Sequence, residues 1–317
     1  MNKKITIILS VMVLSIPNTG SNALEPNEIE KPTLVIMDTA IDTTVQQFKG
    51  KIAQEVCILE WKTCPNGDYF MEGKGAATIS PYAMTKNGFD HGTKMVSAAL
   101  TTNPNMKIVF IRMAGQDFNY NRQNATETTI LNSLVWIYLN KDKYNIKAIS
   151  MSQGSHSFRS IENYCPNTPE TQGMIEVLGL AGIPTFMAAG NNRDYRRIDW
   201  PSCIPESISV GAGSRDGIKT YSNHDPLRID YIAEGTLNVS TPGEIIQSVT
   251  GTSIATQVAG ASWVAITQTN PELSYQEIIS LIDKTSKTIK GRQGSGKFIN
   301  LKEALIESKN DSSRRYS

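Results

Sequence analysis

Thr33-Leu34-Val35-Ile36-Met37-Asp38 is a short apolar run that stops on a carboxylate. Four more runs rich in Val, Ile, Leu and Met follow at 107–113, 147–151, 183–188 and 207–211, each four to seven residues long. Runs of that length and composition are what strands buried on both faces look like. Between them, 125–140 and 170–181 carry apolar residues at helical spacing, and Gly182-Ile183-Pro184 ends the second. Strands alternating with longer amphipathic segments predict a parallel α/β sheet with crossover helices. Further on, 254–268 reads as a helix of small and apolar residues on every side, hence buried. The segment 274–286 reads as an amphipathic helix opened by a capping box, Ser274 with Glu277.

The chain has 317 residues, 39% hydrophobic and 19% charged, enough for a sizeable core and too apolar for disorder. Lys plus Arg total 31 against 30 Asp plus Glu, and losing Lys3 and Lys4 with a leader takes the formal charge from +1 to about −1. A nucleic-acid binder that neutralises phosphates would carry a basic excess, so no nucleic-acid partner is expected. Four cysteines without a CxxC pair exclude a zinc ribbon and a thioredoxin-type motif, and they are too few for a disulfide scaffold.

Met1-Asn2-Lys3-Lys4 is a short cationic segment, 5–16 is a twelve-residue apolar run, and Ser21-Asn22-Ala23 puts small residues where a signal peptidase reads. Twelve residues rise only about 18 Å as a helix, short of the ~30 Å hydrocarbon core, which favours a removable signal over a retained anchor. The expected organisation is a signal peptide over 1–23, one domain over 24–307 and a polar, frayed tail over 308–317. The mature protein is expected to be secreted or periplasmic, with no stable membrane anchor.

His91, His156 and His224 are the only histidines. His91-Gly92-Thr93 follows a Gly-containing loop and opens a helical pattern, which places an imidazole near strand ends. A lone His is more often surface or core material, and what raises this one is its company. Asp38 ends a strand, where open α/β sheets gather their sites, although such a carboxylate can equally cap a turn. Gly251-Thr252-Ser253-Ile254-Ala255 feeds into the buried helix, so Ser253 falls at a helix N-terminus, where an oxyanion can be held or where a Ser simply caps. Ala188-Ala189-Gly190-Asn191-Asn192 follows another buried strand, and its small residues let backbone and an amide approach a ligand.

Together these four fragments resemble the Asp, His, oxyanion-Asn and Ser boxes of the subtilisin-like serine proteases, and the order Asp, His, Ser is that family's. Weaker matches at Ala148-Ile149-Ser150-Met151-Ser152, Ile208-Ser209-Val210-Gly211-Ala212 and Gly296-Lys297-Phe298-Ile299-Asn300 extend the resemblance over about 32–304. It implies a doubly wound, mainly parallel α/β sheet flanked by helices, and a serine endopeptidase. Ser253 would be the nucleophile, His91 the base, Asp38 its orienting carboxylate and Asn191 an oxyanion donor. It further implies protein or peptide substrates lying along Ser150, Met151, Ser152, Gln153 and Gly154 on one side and 115–120 on the other. Gln153 and the Ala188, Ala189, Gly190 floor would shape the primary pocket, and an aromatic within 118–120 is a candidate cap for a more distant one. The family fold implies disulfides Cys57–Cys64 and Cys165–Cys203, with four buried free thiols the alternative. The chemistry requires no cofactor or metal, and no set of ligands for structural calcium can be read.

The departures motivate the competing reading, a subtilase scaffold kept as a binding or regulatory module. Lys94 stands where relatives usually carry a second His, and Gln257 where they carry Pro-His. Only fourteen residues, 24–37, separate the expected cleavage point from Asp38, too few for a folding prodomain. A protein that folds without a covalent pro-segment is expected, with a trans-acting inhibitor or chaperone as the alternative. Gly291 to Lys297 imitates a P-loop but runs into Phe298 where a Ser or Thr is required, and Gly211, Gly213 and Gly217 are mis-spaced for a dinucleotide fingerprint.

Overall fold

Along Thr33–Asp38 (β1) the side chains alternate between two apolar clusters: Leu34 and Ile36 belong to one, Val35 and Met37 to the other. Lys107–Arg112 (β4) repeats this, with Ile108 and Phe110 on the first side and Val109 and Ile111 on the second. Because strand side chains have a period of two, continuous apolarity means that both faces are covered.

The computed structural model describes residues 31–117, 119, 121–156, 164–292 and 294–315, with side chains through residue 310. The expected export signal, Phe118 and Tyr120 lie outside them. The remaining strands are β2 Ile52–Ile58, β3 Phe70–Glu72, β5 Gly115–Gln116, β6 Arg122–Gln123, β7 Ile146–Met151, β8 Thr185–Ala188, β9 Ile208–Ser214 and β10 Gly217–Ile218. Later in the chain come β11 Tyr231–Glu234, β12 Thr236–Thr241, β13 Ile245–Thr250, β14 Lys287–Gly291 and β15 Gly294–Phe298. The helices are α1 Pro81–Met84, α2 His91–Thr102, α3 Glu127–Asn140, α4 Pro169–Leu180, α5 Thr252–Thr269, α6 Tyr275–Thr285 and α7 Leu301–Arg315.

The central sheet runs β14-β15-β11-β9-β8-β7-β1-β4-β2-β3, with β10 beside β9. From β15 to β2 every neighbouring pair is parallel, and the antiparallel pairs lie at the margins. The doubly wound, mainly parallel sheet expected from the sequence is therefore the fold. Side chains of α2, α5 and α6 build the first cluster, and those of α3 and α4 the second. The capping box at Ser274 and Glu277 is formed.

Position of the site follows from strand order. β4 and β7 flank β1 on opposite sides, so the connections at the C-terminal end of β1 diverge and leave a crevice there. Asp38 is the last residue of β1 and sits in that crevice.

One exclusion gains a structural reason, and one expectation changes. The P-loop-like segment is the antiparallel β14–β15 hairpin, which carries no helix N-terminus to hold a phosphate. The stretch from Ser308, expected to fray, continues α7 as far as Arg315. Ser308 is 1% exposed, its carbonyl accepts Asn270 Nδ2 at 3.4 Å and its hydroxyl donates to Leu305 O one helical turn back at 3.1 Å, so a tertiary contact anchors the first residue of that stretch.

Candidate active site

Asp38 is fully buried, and its Oδ1 collects three donors: Thr39 N at 2.7 Å, His91 Nδ1 at 2.7 Å and Gln153 Nε2 at 3.1 Å. With Nδ1 donating to the carboxylate, Nε2 is the imidazole nitrogen left to accept a proton. The His91 side chain is 26% exposed, enough to face the crevice. It arrives as the first residue of α2, fastened to the end of β1 by one hydroxyl: Thr39 Oγ1 donates to Phe89 O at 2.8 Å and accepts Gly92 N at 3.0 Å. A Cβ at position 92 would collide with the Ala40 carbonyl and the Phe110 ring, so only glycine lets α2 come this close.

Ser253 is the second residue of α5 and half-buried. Residues at a helix start have no intrahelical partner for their N–H groups, and that of Ser253 is free among the described residues. Asn191 is held by its oxygen, which accepts Thr252 N at 2.9 Å and Thr252 Oγ1 at 3.2 Å, leaving Nδ2 turned away from that clamp. A Cβ built on Gly251 would lie 3.7 Å from both Asn191 Nδ2 and Ser253 N, so the two expected oxyanion donors border one small space. No hydrogen bond joins Ser253 Oγ to His91 among the described residues. Such bonds are often long in an empty site and tighten on substrate.

The profile of the Subtilase family matches residues 30–299. The chain belongs to the subtilase family. Over 246 residues it is 23% identical to subtilisin BL of Lederbergia lenta, covering 74% of this chain and 84% of that protein. An alkaline protease of Alkalihalobacillus alcalophilus is likewise 23% identical over 246 residues, but the match spans only 59% of its length. Among solved structures, a protease from Pseudoalteromonas arctica superposes with a TM-score of 0.67 at 18% identity, covering 89% of this chain and 93% of the other. A cold-adapted subtilisin-like serine proteinase gives 0.61 at 16% identity, with 84% and 87% covered. At these identities the structural likenesses establish the fold, and the family and its curated relatives are those of serine peptidases.

This subtilase departs from its family's usual boxes in ways the packing explains. Lys94 pairs with Asp90 at 2.6 Å, one helical turn back. Gln257 is fully buried and donates to Ser152 Oγ at 2.9 Å, and Ser152 Oγ in turn reaches Ser253 O at 3.2 Å, which ties α5 to the end of β7.

Along the expected substrate wall the side chains are unevenly buried. Ser150 and Met151 are 0% and 1% exposed, because Ser150 Oγ bonds Thr256 O at 3.3 Å under α5 and Met151 joins the second apolar cluster. Their side chains serve packing, and the accessible edge begins at Gln153 and Gly154. Gln153, expected to shape the primary pocket, lines a small cavity with Gly154 and Trp200, and its amide lies on Asp38 and 3.3 Å from His91 Nδ1. On the opposite wall Ala189 is buried, and its carbonyl accepts Asp199 N at 2.8 Å.

Asp199 and its partners were not legible in the sequence. A Cβ on Gly190 would collide with the Asp199 carboxylate, which therefore lies directly beneath the small-residue loop. Its Oδ1 accepts His156 Nδ1 at 2.8 Å and Asn223 Nδ2 at 2.9 Å, and His156 Nε2 is 3.6 Å from Asp194 Oδ2. Burial pushes the Asp199 carboxyl above the usual range, against the opposing pull of its His156 and Asn223 hydrogen bonds. An Asp in an Arg-rich loop carries no motif, and only the fold brings it to Gly190. Both expected cysteine pairs are disulfide-bonded, Cys57 to Cys64 and Cys165 to Cys203.

Proposed function

We propose that the protein is an exported serine endopeptidase acting through Ser253, His91 and Asp38. The observation that carries this reading is the 2.7 Å contact between Asp38 Oδ1 and His91 Nδ1, which commits one imidazole nitrogen and leaves the other as base. Ser253 Oγ attacks the scissile carbonyl as its proton passes to His91 Nε2, and Asp38 holds the tautomer and stabilises the imidazolium. The developing oxyanion takes hydrogen bonds from Asn191 Nδ2 and Ser253 N. Collapse expels the amine, which receives the proton from His91, and leaves an acyl-enzyme. Water, deprotonated by the same imidazole, then attacks the ester and restores Ser253. Every step uses groups of the chain itself. The substrate is protein or peptide, lying extended between Gln153-Gly154 and β5.

Export rests on the cationic and apolar residues of 1–16 and the small residues at 21–23, in keeping with two disulfides. No described helix is long and apolar enough to cross a membrane.

The free Ser253 hydroxyl favours one other reading, a binding or regulatory module that retains the scaffold. A fluorophosphonate probe decides between them. Covalent labelling that disappears in Ser253→Ala is expected of the peptidase, whereas a correctly folded chain that stays unlabelled would support the module.

A further inference from the structure

β5 and β6 form a two-stranded ladder of their own, in which Gly115 pairs with Gln123 and Gln116 with Arg122. No described strand pairs with the outer edge of β5. On the reading proposed above, that edge is where an extended substrate adds its backbone. A hairpin this short is marginal by itself and takes its position from what lies behind it. Behind it is a cavity of about 860 Å³, with Gln116 and Gln123 on the hairpin side and Trp61 and Pro65 on the other. The wall that would hold substrate is therefore partly backed by open space.

Contact is made at the root of the hairpin. Gly115 is buried, and a Cβ built there would fall 2.9 Å from Trp61 Cε3 and 3.3 Å from Thr63 Oγ1, so the indole and the hydroxyl already lie against the strand. Glycine inside a strand marks such a close approach. The same Cβ would meet Gln123 Oε1 at 2.8 Å, from the hairpin itself. Trp61 and Thr63 stand in the loop that the Cys57–Cys64 disulfide closes, and Thr63 N donates to Trp61 O at 2.7 Å. Cys57 is fully buried in β2, in register with Arg112 of β4, and Cys64 is 3% exposed. A crosslink over a separation of 7 residues leaves the loop few conformations. The loop is thus a strut rooted in the central sheet, with Trp61 set against β5.

We infer that Trp61 is a positioning residue for peptide binding: through Gly115 it fixes where the edge of β5 stands, and the Cys57–Cys64 disulfide fixes Trp61. The inference rests on the substrate path proposed above. Trp61 acts through β5 and not on the reacting atoms, so its removal is felt by substrate residues that reach β5 and far less by those beside Ser253.

Substrate length supplies the test. The full chain is assayed on succinyl-alanyl-alanyl-prolyl-leucine p-nitroanilide, long enough to run along β5, and on acetyl-leucine p-nitrophenyl ester, which ends beside Ser253. In Trp61→Ala the ratio of tetrapeptide KM to ester KM should rise at least threefold. Trp61→Phe, which keeps a ring against Gly115, should restore most of that loss, and replacing Cys57 and Cys64 together by serine should reproduce it. An unchanged ratio, or a loss confined to kcat, would overturn the inference and leave Trp61 a packing residue. Calorimetry with the tetrapeptide amide on the Ser253→Ala chain separates this inference from the peptidase reading. Adding Trp61→Ala should weaken that binding at least threefold, whether or not the wild type hydrolyses anything. A wild type that cleaves neither probe while the binding still weakens would sink the peptidase reading alone. Cleavage of both probes with undiminished affinity would sink this inference alone, and neither cleavage nor saturable binding would sink both.

Discussion

Gln153 Nε2 and His91 Nδ1 share one oxygen of Asp38, at 3.1 and 2.7 Å. The second donor lies 3.3 Å from His91 Nδ1 as well, so it packs beside the bond between carboxylate and imidazole. In the proposed mechanism Gln153 would therefore position the base. Gln153→Leu removes the donor while keeping bulk, and kcat should fall roughly tenfold with KM nearly unchanged, matching the ~1.4 kcal/mol of a hydrogen bond to a charged group. Gln153→Glu sets a second carboxylate against Asp38 and should cost more. Steady-state kinetics on a peptide substrate check both, and a change confined to KM would assign Gln153 to substrate binding instead.

Asn191→Ala should lower kcat by about 10² to 10³ with little change in KM, a magnitude taken from subtilisin's own oxyanion asparagine rather than derived from this site. Thr252 makes a second test available. Its backbone N–H and hydroxyl both hold Asn191 Oδ1, so Thr252→Val should reproduce part of the kcat loss without touching substrate. Equal kinetics in Thr252→Val and wild type would show that the backbone bond alone orients the amide.

His224 is 1% exposed, and burial pushes its pKa below the usual value, against the opposing pull of Asp225. The unfolded chain therefore binds a proton that the folded chain refuses. That stability is present above the unfolded value near pH 6.5 and is lost as pH falls toward the lower folded value. Denaturant midpoints from pH 8 to pH 5 should drop more steeply in wild type than in His224→Gln. Parallel curves would place the acid sensitivity elsewhere.

The disulfides close loops of unequal length, with sequence separations of 38 and 7. Chain-entropy arguments give roughly 4 kcal/mol for Cys165–Cys203 and roughly 2.5 kcal/mol for Cys57–Cys64. Replacing each pair by serines and comparing urea unfolding should reproduce that order.

The strands lining the crevice were legible because burial on both faces leaves an unbroken apolar run, as in β1 and β4. Ile52–Ile58 is also parallel and adjacent to β4, but Gln54 and Glu55 interrupt its apolar pattern. Glu55 is tolerated there because its carboxylate accepts Gly75 N and Ala77 N from a loop that no local pattern announces. The same limit governs the site. Asp38, His91, Asn191 and Ser253 stand in short boxes with neighbours of recognisable type. Gln153 owes its setting to a contact across the fold, reaching Asp38 over a separation of 115 residues.

The Thr39 clamp has a bearing on timing. Base and carboxylate come from segments 53 residues apart, and the hydroxyl that joins them finds its partners only when α2 docks on the finished end of β1. A chain still extended, as one crossing a membrane must be, holds the residues of the site but no site. On the proposed reading, proteolysis is therefore silent in transit and begins where the sheet closes, so the compartment of folding is also the compartment of cleavage.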